Sequence, residues 1–248
     1  MAPNQPQLII VKDSSELARV AAERLIARIA QNHGRVAVCL SGGSTPRQVY
    51  ELLKLAPWKN QIPWHRVHWF MGDERFVPEG DPLNNMAVAR HILLNSNSFA
   101  ANIHPVKTAV ESPAEAAALY EAELKSFYGA DKLDPTLPLF DLVLLGIGPD
   151  GHTASLFPGD GALDDTEHWV VDVANANVAP FAPRVTLTLP ALASCRAMLF
   201  LIAGPEKRAI LTRLLNGEDL PATRARSIDE TVWLVDEAAL PEDFRGGQ

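Results

Sequence analysis

Short apolar runs that alternate with longer amphipathic stretches constrain the fold of this chain more than any other feature of its sequence. A short apolar run predicts a buried strand, and apolar residues spaced by three or four positions predict a helix that packs on a sheet. This alternation is typical of βαβ units. It predicts an α/β fold with an open, mostly parallel, Rossmann-like sheet and helices on both faces. We expect a single domain over residues 1–248, with room for a small extra lobe.

The predicted elements follow from these patterns and from helix-end signals. Predicted strands are residues 8–11, 35–40, 67–71, 140–145, 170–173, 185–189, 197–203 and 231–235. Predicted helices run from residue 14 to just before Gly34 and over residues 46–53, 85–94, 113–128 and about 205–215. Asp13 and Ser112 are expected to cap two of these helices, and Gly129 to end one. The continuous apolar run 140–145 predicts a central parallel strand that is buried on both faces.

Composition and charge exclude several classes of function. The 248 residues include 22 Lys+Arg against 30 Asp+Glu, which gives a net charge of -8. A protein that neutralises nucleic-acid phosphates needs a basic face, so we expect no nucleic-acid partner. A few basic groups that converge locally could still bind a small anion. Cys39 and Cys195 lie in or beside apolar runs, which predicts buried, reduced thiols.

The N-terminal segment has neither the basic nor the apolar region of a signal peptide. No apolar run approaches the ~20 residues that a membrane-spanning helix needs. We therefore expect a cytoplasmic protein without a membrane partner.

Loops that directly follow predicted strands are where ligands bind in open α/β sheets, and the first such loop is residues 41–45. Gly42 and Gly43 let the backbone approach an anion closely. Ser44 and Thr45 bring hydroxyls and amides to the start of a helix. The loop therefore predicts a phosphate cradle, and the alternative is a glycine turn in which a hydroxyl only caps the helix. It fits neither the Walker A pattern nor the dinucleotide fingerprint.

The second loop, Gly72 to Arg75, places carboxylates beside a guanidinium. Arg75 could hold Asp73 ionised or clamp an anionic group of a substrate. The alternative is a salt-bridge cluster at the surface.

The third loop, residues 146–155, places Asp150 between glycines and two residues before His152. Asp150 can orient the imidazole and stabilise its charged form, which leaves the second ring nitrogen to accept a proton from water. His152 is thus a candidate general base. The remaining histidines are interpreted as structural or solvated: His33, His65, His68, His91, His104 and His168. A Gly-x-Ser-x-Gly elbow is absent, which disfavours an acyl-enzyme, and the histidines do not have zinc-ligand spacing.

Four blocks resemble the signature blocks of the 6-phosphogluconolactonase family in order and spacing: LSGGSTP (40–46), WFMGDERFVP (69–78), LLGIGPDGHTASLFPG (144–159) and PRVTLT (183–188). With AGPEK (203–207), the resemblance covers nearly the whole chain. It implies hydrolysis of 6-phospho-D-glucono-1,5-lactone to 6-phospho-D-gluconate in the oxidative pentose phosphate pathway. The resemblance also implies that no metal or organic cofactor takes part. On the same basis we expect a monomer.

The resemblance also implies roles for individual residues. His152 would activate the attacking water and Asp150 would orient it. Asp73 and Arg75 would line the same pocket, with Arg75 holding substrate or stabilising the oxyanion. The 6-phosphate would be bound by a second set: Gly42, Gly43, Ser44, Thr45, Arg184 and Lys207.

One position departs from the family pattern, because Asn84 stands where relatives usually carry serine. Two other functions remain open. The related glucosamine-6-phosphate deaminases place a carboxylate five residues after the histidine, where this chain has Phe157. A sugar-phosphate sensor without catalysis is the non-enzymatic alternative. Arg224 and Arg226 could reach the substrate, although a solvated basic turn explains them as well.

Overall fold

The computed structural model describes residues 5–176, 178–242 and 244. Within them lie nine strands: β1 (Gln7–Val11), β2 (Val36–Leu40), β3 (Val67–Met71), β4 (Asp73–Arg75), β5 (Phe140–Leu145), β6 (Val170–Val173), β7 (Arg184–Leu187), β8 (Cys195–Ile202) and β9 (Glu230–Asp236). The same described ranges contain seven α-helices: α1 (Ser14–Gln31), α2 (Ser44–Leu53), α3 (Asn85–Ala89), α4 (Pro113–Tyr128), α5 (Leu189–Ala193), α6 (Arg208–Leu215) and α7 (Pro221–Arg224).

Six strands form one parallel sheet in the order β1-β9-β8-β5-β2-β3. The predicted open parallel sheet is therefore confirmed. Every residue of the neighbouring interior strands β2 and β5 is buried, as their largely apolar sequences indicate, and Asp141 of β5 is the one charged residue among them. Because the strands are parallel, the loops that follow β2, β3, β5 and β8 meet at one edge.

Helices cover both faces of this sheet, which confirms the predicted layering. Neighbouring residues of one strand point to opposite faces. On one face, Val38 packs in a core with residues of α1 and α2 such as Leu25. On the other face, Cys39 packs in a core with residues of α4 and α6 such as Leu124.

A second, smaller sheet is antiparallel and has the order β4-β7-β6. This sheet corresponds to the small extra lobe that the sequence analysis allowed within the single domain. The predicted strands at 170–173 and 185–189 belong here and not to the parallel sheet, and Leu189 already begins α5. No sequence pattern predicted β4, whose three residues are all charged. It forms because Asp73 to Arg75 pair with Arg184 to Thr186, and the Gly72 carbonyl accepts a hydrogen bond from the Leu187 amide (2.8 Å).

The helix ends agree largely with their sequence signals. The Asp13 side chain accepts a hydrogen bond from the Glu16 amide, and Ser112 from the Glu115 amide. Gly129 ends α4 with φ +87°, in the left-handed region that favours glycine. The predicted helix 85–94 is α3 followed by one π-turn (Arg90–Leu94), and a 3₁₀ turn (Pro205–Lys207) precedes α6. Across the part of the chain that the structure describes, no helix is both long enough and apolar enough to cross a membrane.

Candidate active site

A cleft of about 490 Å³ lies at the carboxyl edge of the parallel sheet, where the small sheet meets it. Nine of the residues predicted for the site line this cleft: Gly42, Gly43, Ser44, Thr45, Asp73, Arg75, His152, Arg184 and Lys207. The tenth, Asp150, is outside this lining and contacts His152. Residues from five separate stretches of the chain are thus brought together.

The loop from Ser41 to Thr45 connects β2 to α2 with little freedom. The Tyr50 hydroxyl accepts a hydrogen bond from the Ser41 amide (3.1 Å) and donates one to the Ser41 carbonyl (2.7 Å). Gly43 has φ +106° and precedes the first residue of α2, so the N-terminus of that helix opens on the cleft. The positive end of a helix dipole and free backbone amides suit an anion such as phosphate.

His152 and Asp150 form a close pair after β5. The Nδ1–H group of His152 donates to Asp150 Oδ1 at 2.5 Å, and the His152 amide donates to the same oxygen at 3.1 Å. Burial alone would raise the pKa of Asp150, but the hydrogen bonds and charge of His152 outweigh it and lower that pKa. Asp150 is therefore ionised and fixes the ring so that Nε2 is the nitrogen left for the cleft.

The space around the His152 ring is closely fitted. A Cβ atom added to Gly148 would lie 2.0 Å from the ring atoms Nδ1 and Cε1. The Gly148 amide also donates to the His152 carbonyl (2.9 Å), which closes the turn. The buried Phe157 ring packs on the other side, with ring centroids 4.7 Å apart. Glycine at 148 is thus a spatial requirement of the histidine position.

The small sheet contributes the opposite wall. Asp73 is buried and accepts a hydrogen bond from the Ser155 hydroxyl (2.6 Å), which links the two walls. Arg75 donates to the Leu83 carbonyl (2.8 Å) and lies directly across from Arg184 in the β4–β7 register. The positive charges of Arg75 and Arg184 repel each other, and an anion bound at either guanidinium would reduce that repulsion.

Arg184 and Lys207 are both held by backbone carbonyls. The Arg184 guanidinium donates to the carbonyls of Pro180 (2.7 Å) and Ala182 (3.1 Å), and Lys207 donates to that of Ile147 (2.7 Å). Burial lowers the pKa of both side chains, against the opposing effect of nearby carboxylates. Both are cations at neutral pH with hydrogens left for an anion in the cleft.

Three residues that shape the site were not identified from the sequence. Asn85 and Ser155 line the cleft, and Glu74 is buried behind it. Ser155 and Glu74 stand inside the quoted motif blocks, so their position was a signal. Asn85 directly follows Asn84 and holds the asparagine place of the family's Ser-Asn pair, so the resemblance was its signal.

Other candidate residues lie away from the cleft lining. Asn84 caps α3 by accepting a hydrogen bond from the Ala87 amide (2.8 Å). Arg224 is ion-paired with Asp219 and Asp164, and Arg226 donates to backbone carbonyls of its own turn. Arg224 therefore fits the solvated-turn alternative, whereas Arg226 is partly buried with its guanidinium 5.8 Å from the centroid of the Trp233 ring. Among the described residues, no group of three or more His, Cys, Asp or Glu side chains is placed to hold a metal ion.

Comparison with known proteins identifies the family of this chain. Residues 12–233 match the model of the glucosamine-6-phosphate isomerases/6-phosphogluconolactonase. The 6-phosphogluconolactonase of Synechocystis sp. is 36% identical over 244 residues, which is 96% of this chain and 98% of that protein. The crystal structure of 6-phosphogluconolactonase from Thermotoga maritima matches with a TM-score of 0.80 at 32% identity, covering 94% of this chain and 100% of that chain.

A monomeric glucosamine-6-phosphate deaminase also matches, with a TM-score of 0.78 at 20% identity over 94% of this chain and 98% of that chain. This likeness shows a shared fold alone. The family model covers most of the chain, and a relative above 30% identity covers nearly all of it. The chain belongs to the glucosamine-6-phosphate isomerase/6-phosphogluconolactonase family.

Proposed function

We propose that the protein is a hydrolase that converts 6-phospho-D-glucono-1,5-lactone to 6-phospho-D-gluconate in the oxidative pentose phosphate pathway. The observation that carries the proposal is the His152–Asp150 pair at the edge of an anion-binding cleft. The relatives named 6-phosphogluconolactonase, at 36% and 32% identity over nearly the full chain, support it. The fold alone would not, because a deaminase shares it.

In this proposal, His152 is the general base. Its Nε2 accepts a proton from a water molecule that attacks the lactone carbonyl carbon, and the imidazolium then donates that proton to the departing ring oxygen. Asp150 holds the proton on Nδ1 and stabilises the imidazolium. The products are a free hydroxyl and a carboxylic acid that releases its proton to solvent at neutral pH, so the reaction needs water but no further reactant. We propose that it uses no metal and no organic cofactor.

The cations of the cleft divide between the two ends of the substrate. Arg75, on the strand next to Asp73, is proposed to stabilise the negative oxygen that develops during attack. The loop Gly42–Thr45, Arg184 and Lys207 are proposed to bind the 6-phosphate. A phosphate anchor that is remote from the carbonyl contributes binding energy that positions the lactone against the base.

Phe157 favours the lactonase over the deaminase. It occupies the position where the resemblance places a second acid in the deaminases, and its buried ring packs on His152. An apolar ring cannot supply the proton transfers of ring opening and isomerisation. Water attack on an ester needs only one base, so the site is complete for hydrolysis.

The proposed partner is a small sugar phosphate lactone. We also propose that the protein acts in the cytoplasm. We propose that it acts as a monomer, because all the residues assigned to catalysis and phosphate binding come from one chain.

A coupled assay tests the proposal. Glucose-6-phosphate dehydrogenase forms the lactone in place, and 6-phosphogluconate dehydrogenase reports its hydrolysis as a second phase of NADPH formation. We expect the wild-type protein to accelerate this phase above the spontaneous rate and to release no ammonia from glucosamine 6-phosphate. Ammonia release without lactone hydrolysis would identify a deaminase. Failure of both assays would leave the sugar-phosphate sensor.

A further inference from the structure

Glu74 is a buried carboxylate to which the proposed chemistry gives no role. It lies on β4 between Asp73 and Arg75, which line the cleft, and its own side chain is fully buried. Because side chains alternate along a strand, Glu74 points away from the cleft. A buried charge is costly unless it is well hydrogen-bonded, and an apolar residue of similar size would often be at least as stabilising. The position therefore needs a reason other than stability.

The contacts of Glu74 supply that reason. Its Oε1 atom accepts hydrogen bonds from the amides of Arg75 (2.9 Å) and Asn85 (2.6 Å), and its Oε2 atom accepts one from Met86 (2.9 Å). Asn85 and Met86 are the first two residues of α3, whose amides have no partner inside the helix. A single carboxylate thus joins β4 to the start of α3 across the intervening loop.

Asn85 carries this connection into the cleft. Its side-chain amide donates to the Asp73 carbonyl (3.0 Å) and lies against Gly42, where an added Cβ would come within 2.0 Å of Asn85 Oδ1. Arg75 is tied to the same loop by its bond to the Leu83 carbonyl. The Glu74 contacts therefore set the positions of Asp73, Arg75 and the glycine loop relative to one another.

We propose that Glu74 is a positioning residue for lactone hydrolysis, whose ionised carboxylate holds Arg75 and Asn85 in their places in the cleft. This inference rests on the proposed function and assigns Glu74 no contact with substrate. The carboxylate has about four acceptor positions, and the three amides use three of them. Protonation removes the negative charge that strengthens these hydrogen bonds, so the contacts to Arg75, Asn85 and Met86 are weaker in the neutral form.

The surroundings of Glu74 make this protonation accessible near neutral pH. Burial is the largest effect and raises its pKa to about 7, although the three amide hydrogen bonds oppose it. Three other titratable or charged groups interact electrostatically with Glu74: Asp73 beside it on β4, Arg184 on the paired strand β7, and Tyr120 on α4. As pH falls through about 7, Glu74 becomes neutral, and we expect activity to fall with it.

The variant Glu74→Gln tests the proposal. Glutamine keeps the shape but places an NH₂ group against a backbone amide, so one contact is lost at every pH. We expect a folded protein whose kcat is lower by about tenfold or more, with KM changed less than about threefold. Glu79→Gln removes an exposed carboxylate from the same loop and serves as the matched control, with kcat within about twofold of wild type.

The pH profile separates positioning from a structural role. At pH 8 Glu74 is ionised, and we expect the wild-type kcat to exceed that of Glu74→Gln by about tenfold or more; towards pH 5 Glu74 becomes neutral, and the ratio of the two kcat values falls towards one. A ratio that stays the same between pH 8 and pH 5 overturns the proposal. If Glu74→Gln does not fold, Glu74→Asp replaces it, because its shorter carboxylate cannot reach all three amides, and a kcat within about twofold of wild type then overturns the proposal.

The remaining outcomes are distinct. An active wild type with Glu74→Gln unchanged in kcat and in pH profile overturns the positioning role alone. A wild type without lactonase activity overturns the proposed function and the role of Glu74 within it.

Discussion

The two walls of the cleft are built in different ways. The wall on the parallel sheet carries its groups on loops that follow strands, where glycines at 42, 43 and 148 give the backbone and His152 their positions. The wall on the antiparallel sheet carries Asp73, Arg75 and Arg184 on the strands themselves. There the positions depend on strand pairing and on hydrogen bonds, such as the one that Asp73 accepts from the buried Ser155.

The two walls should therefore respond to different substitutions. In the wall built from loops, a larger side chain in place of a glycine displaces the neighbouring site residue. In the wall built from strands, removal of a hydrogen-bond donor or acceptor displaces it. Ser155 belongs to the loop wall but bonds to Asp73 of the strand wall, so it tests how far the two depend on each other.

Among variants of residues that shape the two walls, the largest effect is expected for Gly148→Ala. The new Cβ would lie 2.0 Å from the His152 ring, which has to move away from Asp150 and from the proposed water position. We expect kcat to fall by about thirtyfold or more, as measured in the coupled assay. Gly161→Ala, where a Cβ meets no atom within 4 Å, is the control and should keep kcat within about twofold. Activity near wild type in Gly148→Ala would show that the ring position is not critical.

A smaller effect with a different signature is expected for Lys207→Ala. A phosphate anchor binds ground and transition states alike, so its loss raises KM, here by about tenfold, with kcat within about threefold. Lactone titrations of this variant and of Lys132→Ala, an exposed control, measure the change. An unchanged KM would remove Lys207 from the phosphate site.

The smallest effect is expected for Ser155→Ala, which leaves Asp73 without its 2.6 Å hydrogen bond but in its strand. We predict a decrease of kcat by about fivefold, because the strand and not the hydroxyl sets most of the position. Steady-state kinetics with Ser15→Ala as an exposed control give the comparison. A loss as large as that of Gly148→Ala would mean that the walls are not independent.

The same contrast explains how much the sequence could predict. The parallel sheet followed from local patterns, such as the apolar run of β5 and the glycine loop after β2, because each strand and the loop after it are encoded together. The nine cleft residues were therefore found by examining strand ends and by the family resemblance.

The antiparallel sheet was not predictable in this way. The sequence of β4, Asp-Glu-Arg, has no strand preference, and the strand exists only through its pairing with β7 far along the chain. The role of Asn85 depends on the same long-range geometry, since it lies beside Gly42 and Asp73 only in the folded protein. Glu74 was quoted within a motif, but its burial and its three amide bonds are properties of the fold.

His152 is proposed to act as the base on the lactone, and ³¹P NMR of lactone decay at fixed pH measures this role. Samples with wild type, with His152→Ala and without protein are followed in parallel, after circular dichroism has shown that the variant is folded. We expect rapid decay of the lactone with wild type and a kcat lower by ~100-fold or more for His152→Ala, with little change in KM. Decay at the wild-type rate with His152→Ala would contradict it.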